Sequence, residues 1–167
     1  MPNIIKLLVI GSNGQLAQSF KAIEVCNQNL QTDYYSKDQL DILEKDELEK
    51  VIKNNNYDFV VNFSAFTAVD EAEEKKEQAL EVNAIGPKNL AEVTRKNKVF
   101  LVHISTDYVF DGLKGKFYTE QSPTIPCNFY GESKLNGEEY IKKLSDRFII
   151  FRVSWLYSEF GKNFFLT

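Results

Sequence analysis

A chain of 167 residues can form one domain with a single substantial core but is too short for two complete ones. With 43% apolar residues and a net charge of −4, it has no general electrostatic attraction for nucleic acid or anionic membranes, so a phosphate-bearing ligand has to be held locally. The two cysteines, Cys26 and Cys127, make neither a disulfide framework nor a metal-ligand spacing, and the lone His103 lies within the apolar run 99–104; all three read as structural, with no metal site expected.

Residues 4–10 are a short apolar run rich in β-branched side chains, as in a strand buried on both faces of a parallel sheet. The run is too short to cross a bilayer and leads into glycine instead of a small-residue cleavage site, so a cytoplasmic protein is expected. Gly11-Ser12-Asn13-Gly14-Gln15-Leu16-Ala17 follows at once, a Gly-x-x-Gly-x-x-Ala turn opening a helix with Leu16, Phe20 and Ile23 on one face. Such glycines let backbone approach a pyrophosphate, and the N–H groups at the helix start bind its charge. Ala17 stands where a third small residue allows tight helix–strand packing.

A second strand is expected over 30–35, and its end is where a dinucleotide-binding fold meets the adenosine ribose. An acidic residue there would accept from the 2′-hydroxyl, whereas the Ser36-Lys37 found at the tip suits a 2′-phosphate; Asp33 lies before it and Asp38 after. Residues 44–54 read as a helix with Leu48, Val51 and Ile52 inward, and 59–61 as a third strand ending at Asn62, which completes a βαβαβ half.

The stretch 70–77 is charged and helix-prone, with acids leading into bases as the helix dipole favours. From Ala79, the positions Val82, Gly86, Leu90 and Val93 keep one helical face apolar, while Gly86-Pro87 should perturb or restart the helix. The fourth strand, 100–104, ends in Ser105-Thr106, which puts hydroxyls at a strand carboxyl end, where open α/β sheets hold ligands. A loop over 111–127 precedes a helix containing Tyr130-Gly131-Glu132-Ser133-Lys134, and 148–152 forms a fifth strand. With Tyr130 and Lys134 at i and i+4 on one face, the ammonium is expected to stabilise the phenolate, lower the phenol's pKa and make Tyr130 a general acid or base.

These motifs together resemble the extended short-chain dehydrogenase/reductase family, and within it the dTDP-4-dehydrorhamnose reductases. The match rests on the glycine turn, Leu40-Asp41-Ile42, the block 61–70 from Val61-Asn62 to Val69-Asp70, Val82-Asn83, Ser105-Thr106-Asp107-Tyr108-Val109-Phe110-Asp111-Gly112, Tyr130-Gly131-Glu132-Ser133-Lys134-Leu135 and Phe151-Arg152-Val153-Ser154-Trp155-Leu156-Tyr157. The resemblance implies an α/β fold, a Rossmann-like doubly wound parallel sheet with helices on both faces, binding NADPH or NADH. It further implies reduction of a dTDP-4-keto-6-deoxysugar to dTDP-L-rhamnose, with Tyr130 protonating the carbonyl oxygen, Lys134 lowering its pKa and bonding the nicotinamide ribose, and Thr106 bonding the same oxygen. By the same matching, Asp41 and Ile42 line the adenine pocket, Ala65, Phe66 and Thr67 border the cofactor, and Asp107, Tyr108 and Trp155 touch the sugar nucleotide.

Two departures stand out. Members of the family run on past the point where this chain stops, so residues 1–167 are expected to be a dinucleotide-binding domain without most of the smaller substrate domain. The apolar end after Trp155 would then be covered by further chain, a homodimer mate or a partner, and the proton-donating cluster would stand over an open, wet cleft. Ser64 and Phe66 replace an alanine and a smaller aromatic. Within the same fold the alternative is a nucleotide-sugar epimerase or dehydratase, against which the Ser-Thr-Asp-Tyr-Val-Phe-Asp-Gly block argues. A different alternative is a non-catalytic protein like the regulatory subunit of methionine adenosyltransferase.

Overall fold

The computed structural model describes residues 4–113, 115, 117–161 and 163; of the apolar end after Trp155, residues 162 and 164–167 lie outside them. Strand β1 (Ile5–Ile10) runs inside the sheet, which is why residues 7–10 are all apolar and all buried. It pairs with β2 (Leu30–Tyr35) on one side and β3 (Phe59–Asn62) on the other, and β4 (Phe100–Thr106) and β5 (Phe148–Val153) continue beyond β3. All five strands are parallel, in the order β2-β1-β3-β4-β5. The order reverses between β1 and β3, and an open α/β sheet has its ligand crevice at that switch, over the carboxyl ends of the strands.

On one face of the sheet pack α2 (Lys45–Asn55), α5 (Gly86–Asn97) and α6 (Phe129–Leu144), whose Leu48, Ile52, Leu90, Val93 and Ile141 meet Leu8, Ile10, Val60 and Leu101. Each such side chain contributes about 1.5 to 3 kcal/mol by leaving water. The other face is covered by α1 (Gln15–Glu24), through Ala17 and Phe20 against Val9, Val61, Phe63 and Val102. The expected inward face of α1 needs correction at Ile23, which is 68% exposed. The small Ala17 is fully buried against the sheet, whereas Ile23, near the end of the helix, is not part of that cluster. On this second face Ile149 and Phe151 of β5 remain exposed.

The charged stretch forms two short helices, α3 (Glu71–Glu74) and α4 (Lys76–Leu80), broken at Lys75. A π-helical turn (Glu81–Ile85) then absorbs the irregularity expected at Gly86-Pro87, and α5 begins with Pro87 in its first turn, where a missing N–H removes no intrahelical bond. Cys26 and Cys127 are exposed and unbridged. Among the described residues no helix is long and apolar enough to cross a membrane, and no group of three or more His, Cys, Asp or Glu side chains is placed to hold a metal ion.

Candidate active site

Two adjoining cavities, of about 300 and about 530 Å³, lie over the carboxyl ends of β1, β3 and β4. They share Gly14, Phe63, Ser64 and Ala65, so together they form one elongated cleft. Gly11 lies at the back of the narrower part with φ +83°, and a Cβ there would sit 2.6 Å from the Ser64 nitrogen. Only glycine allows the turn after β1 to pack against the segment after β3. The amides of Gly11 and Ser12 donate to the Tyr35 carbonyl at 3.0 and 3.1 Å, tying the turn to β2. The N-cap of α1 is Gly14, which has no side chain to cap with, so the amides of the first turn are left for a ligand in the cleft. At the far end, Asp41 Oδ1 accepts from the Leu43 amide at 3.0 Å, and Lys37 Nζ lies 3.9 Å from Asp41 Oδ2.

The wider part is built by β4, the 3₁₀ turn that follows it (Asp107–Val109) and α6. Thr106 Oγ1 accepts from the Tyr108 amide and donates to Asp107 Oδ1, both at 3.2 Å. Helix α6 starts at the N-cap Asn128, whose Oδ1 accepts from the Gly131 amide at 2.8 Å. Gly131 has to be small, because a Cβ would collide with the Tyr108 carbonyl. That close approach sets Tyr130 edge-to-face against Tyr108, with ring centroids 5.7 Å apart. One turn on, Lys134 Nζ donates to the Ile104 carbonyl at 2.6 Å. Tyr130 and Lys134 are 9% and 2% exposed, so the expectation of a wet proton-donating cluster is overturned. The strand end and the 3₁₀ turn enclose it, and the open side of the cleft is at Trp155, 72% exposed with φ +51°.

Burial also reverses the expected electrostatics. It pushes the Tyr130 phenol above its usual range; the Thr106 hydroxyl beside it works the other way, and Asp107 and Tyr108 add to the rise. Lys134 is brought down to about 8 by burial, against the pull of Glu138. Desolvation of the phenolate outweighs any stabilisation by the Lys134 ammonium, so the phenol stays above its ordinary value. Tyr130 is consequently protonated at neutral pH, the state a proton donor needs. His103 is neutral as well. Its Nδ1 lies 3.1 Å from Asn62 Nδ2, a group that can only donate, and Asn62 Oδ1 is committed to the Ser64 amide at 2.9 Å. Nδ1 thus accepts and Nε2 carries the proton, while burial and then the charge of Lys134 hold the ring well below the usual histidine range.

The sequence family described as the RmlD substrate binding domain matches residues 5–167. The chain belongs to this family. It is similar to the dTDP-4-dehydrorhamnose reductase of Aggregatibacter actinomycetemcomitans, 37% identical over 162 residues that cover 97% of this chain and 55% of that one. Among solved structures it is similar to the dTDP-4-dehydrorhamnose reductase of Bacillus anthracis in complex with NADP, with a TM-score of 0.93 at 34% identity, covering 96% of this chain and 57% of that one. A dTDP-4-dehydrorhamnose reductase of Clostridium acetobutylicum gives a TM-score of 0.91 at 38% identity, covering 96% and 56%. The chain thus spans about half the length of the relatives it matches.

In this RmlD-family chain, Gly11, Asn13, Gly14, Lys37, Asp41, Ile42, Ala65 and Phe66 line the narrower cavity. Gln15, Leu16, Thr67, Thr106, Asp107, Tyr108, Tyr130, Lys134 and Trp155 line the wider one. Ser12 and Ser36 are among the lining residues of neither: Ser12 has its amide on Tyr35, and the Ser36 carbonyl accepts from the amides of Gln39 and Leu40 in the turn after β2. Sequence reasoning assigned no role to Asn83, in the π-helical turn. Its Oδ1 accepts from the Phe66 amide at 2.9 Å, and its Nδ2 donates to the Phe66 carbonyl and to Ser133 Oγ, each at 3.0 Å. Ser133 Oγ in turn donates to the Tyr130 carbonyl at 2.7 Å. The available signal was an asparagine, a poor helix former, in the middle of a helical run. Gln78, which also lines the narrower cavity, carried no comparable signal.

Proposed function

We propose that residues 1–167 are the dinucleotide-binding, proton-donating domain of an NAD(P)H-dependent reductase that converts dTDP-4-dehydro-6-deoxy-L-mannose to dTDP-L-rhamnose. The observation that carries this reading is the meeting, in one cleft, of a glycine turn with an uncapped helix start and the buried cluster of Tyr130, Thr106 and Lys134. An elongated dinucleotide suits that cleft. The Gly11 floor leaves room for a pyrophosphate against backbone, the amides of Gln15 and Leu16 lie at the helix start, and Asp41 and Ile42 would border the adenine. The exposed ammonium of Lys37, with Ser36 beside it, suits a 2′-phosphate, which favours NADPH; the Bacillus anthracis relative is in complex with NADP.

When bound, the cofactor would supply hydride to the carbonyl carbon. Tyr130, protonated and buried, would give its phenolic proton to the carbonyl oxygen, and Thr106 would hydrogen-bond that oxygen as charge develops. The Lys134 ammonium would hold the nicotinamide ribose and stabilise the phenolate left behind. Ala65, Phe66 and Thr67 would form the wall along the cofactor, with Asp107, Tyr108 and Trp155 on the sugar-nucleotide side. A cytoplasmic setting accords with two free, exposed cysteines, and the exposed Trp155, Leu156 and Tyr157 suit cover by further chain or a second copy.

The test is turnover of dTDP-4-dehydro sugars by the chain extended to the length of its relatives. A reductase consumes reduced cofactor in step with product, an epimerase converts sugar without net consumption, and a scaffold does neither.

A further inference from the structure

One turn of α6 beyond Lys134 lies a buried ion pair that none of these roles uses. Glu138 is fully buried; its Oε1 accepts from Arg152 Nε at 2.8 Å, and its Oε2 from Arg152 Nη2 at 2.6 Å and Lys142 Nζ at 2.9 Å. Arg152 comes from β5, in register with Ser105 of β4, and its guanidinium lies 4.9 Å from the centre of the Phe110 ring. A buried ion pair is a poor source of stability, since apolar side chains of similar volume often serve as well or better. Its position suggests another use. Lys134 and Glu138, four residues apart, lie on the same face of α6. Lys134 is itself buried, and its ammonium is bonded to Ile104, a carbonyl acceptor without charge.

Around Lys134, α6 carries Tyr130, which is neutral, Glu138, and Lys142 a turn further on. The neighbouring strands contribute neutral His103 and cationic Arg152, while Asp107 on the 3₁₀ turn acts on Tyr130. Glu138 is thus the anion whose field reaches Lys134 from its own helix. We propose that Glu138, clamped by Arg152, is a positioning residue for Lys134: a fixed buried counter-charge that keeps the ammonium charged against β4 and ready for the cleft. Arg152 holds the carboxylate in place and, with Lys142, keeps it ionised against burial, so that the counter-charge persists at the pH at which Lys134 is needed. The use made of that charge rests on the reductase reading above; the charge relationship itself does not.

The experiment follows the titration of Lys134 by NMR of isotope-labelled lysine in the 167-residue chain, without cofactor, together with NADPH calorimetry in mildly acid buffer and near the wild-type midpoint of about 8. Glu138→Gln is expected to move the Lys134 midpoint to lower pH and to weaken NADPH binding near pH 8, with recovery in acid as the ammonium returns. Should Arg152 without its partner prevent folding, the double change Glu138→Met with Arg152→Met replaces the pair by apolar side chains and is expected to move the midpoint the same way. A folded variant whose Lys134 titrates as in the wild type overturns the proposal, as does a loss of NADPH affinity equal at both pH values. If the wild type binds no NADPH, the reductase reading fails, while the titration still decides the role of Glu138.

Discussion

Asn83 holds Phe66 by both backbone polar groups, accepting from its N–H and donating to its C=O, and the same amide reaches Ser133 on the helix of Tyr130. The wall of the narrower cavity and the helix of Tyr130 are thereby joined through one side chain. Asn83→Ala leaves two backbone groups and a hydroxyl to find other partners, an expected loss of about 2 to 4 kcal/mol. Urea denaturation should show it, and calorimetry should show weaker NADPH binding because Phe66 is no longer held. Unchanged affinity in a folded variant would mean that the segment is fixed by its packing alone.

Lys134 gives a pH-dependent prediction whose sign is fixed by burial. Its value falls from 10.5 to about 8 on folding, so between those limits the unfolded chain holds more protons than the folded one, and stability rises with pH. Below pH 8 the buried charge costs about 3 kcal/mol, offset in part by the Ile104 bond, which Lys134→Met would forfeit. We therefore expect Lys134→Met to stabilise the chain at neutral pH by about 1 to 3 kcal/mol, a gain that shrinks as pH rises from 8 towards 10.5. The same variant should lose most of its NADPH affinity. Thermal melts across that range check the first part, and destabilisation at neutral pH would contradict it.

Tyr130→Phe removes the phenolic proton and little else, since the ring keeps its contact with Tyr108. In the chain extended to the length of its relatives, turnover should fall by about a thousandfold or more while NADPH affinity stays within a few-fold. A comparable loss of both would make the tyrosine a structural residue.

The strands were legible because β1 and β3 have to be apolar on both faces, and the glycine turn because only glycine fits where Gly11 meets Ser64. The break at Lys75 was not legible: every residue around it favours helix, and burial of Ala72 and Ala79 in a small cluster with Tyr130 accompanies the break. At the site, the i, i+4 spacing placed Tyr130 and Lys134 on one face but could not give their charge states. Those follow from enclosure by Ile104, Thr106 and the Gly131–Tyr108 contact, which join segments more than twenty residues apart. The contacts of Asn83 with Phe66 and of Glu138 with Arg152 were not legible for the same reason: one member of each pair comes from a separate element.

The 167-residue chain by itself is expected to bind NADPH while showing little reductase activity. The parts that would hold the cofactor, from Asp41 through the glycine turn to Lys134, lie within the described cleft, so calorimetry should detect binding. Catalysis needs more than this. Binding energy from the nucleotide of the substrate, remote from the carbonyl, is what sets the reacting carbon against the nicotinamide within attack distance. On that side the cleft is bordered by Trp155, which is mostly exposed together with Tyr157, and the chain spans about half the length of its relatives. Tyr130, the proposed proton donor, is itself enclosed, so the deficit should lie in substrate capture and orientation, not in the acidity of its phenol. Extending the chain with the C-terminal region of a relative should then raise kcat/KM for the dTDP-sugar by several orders of magnitude while leaving NADPH affinity within a few-fold. Near-normal turnover by the unextended chain would show that residues 1–167 already hold the sugar nucleotide.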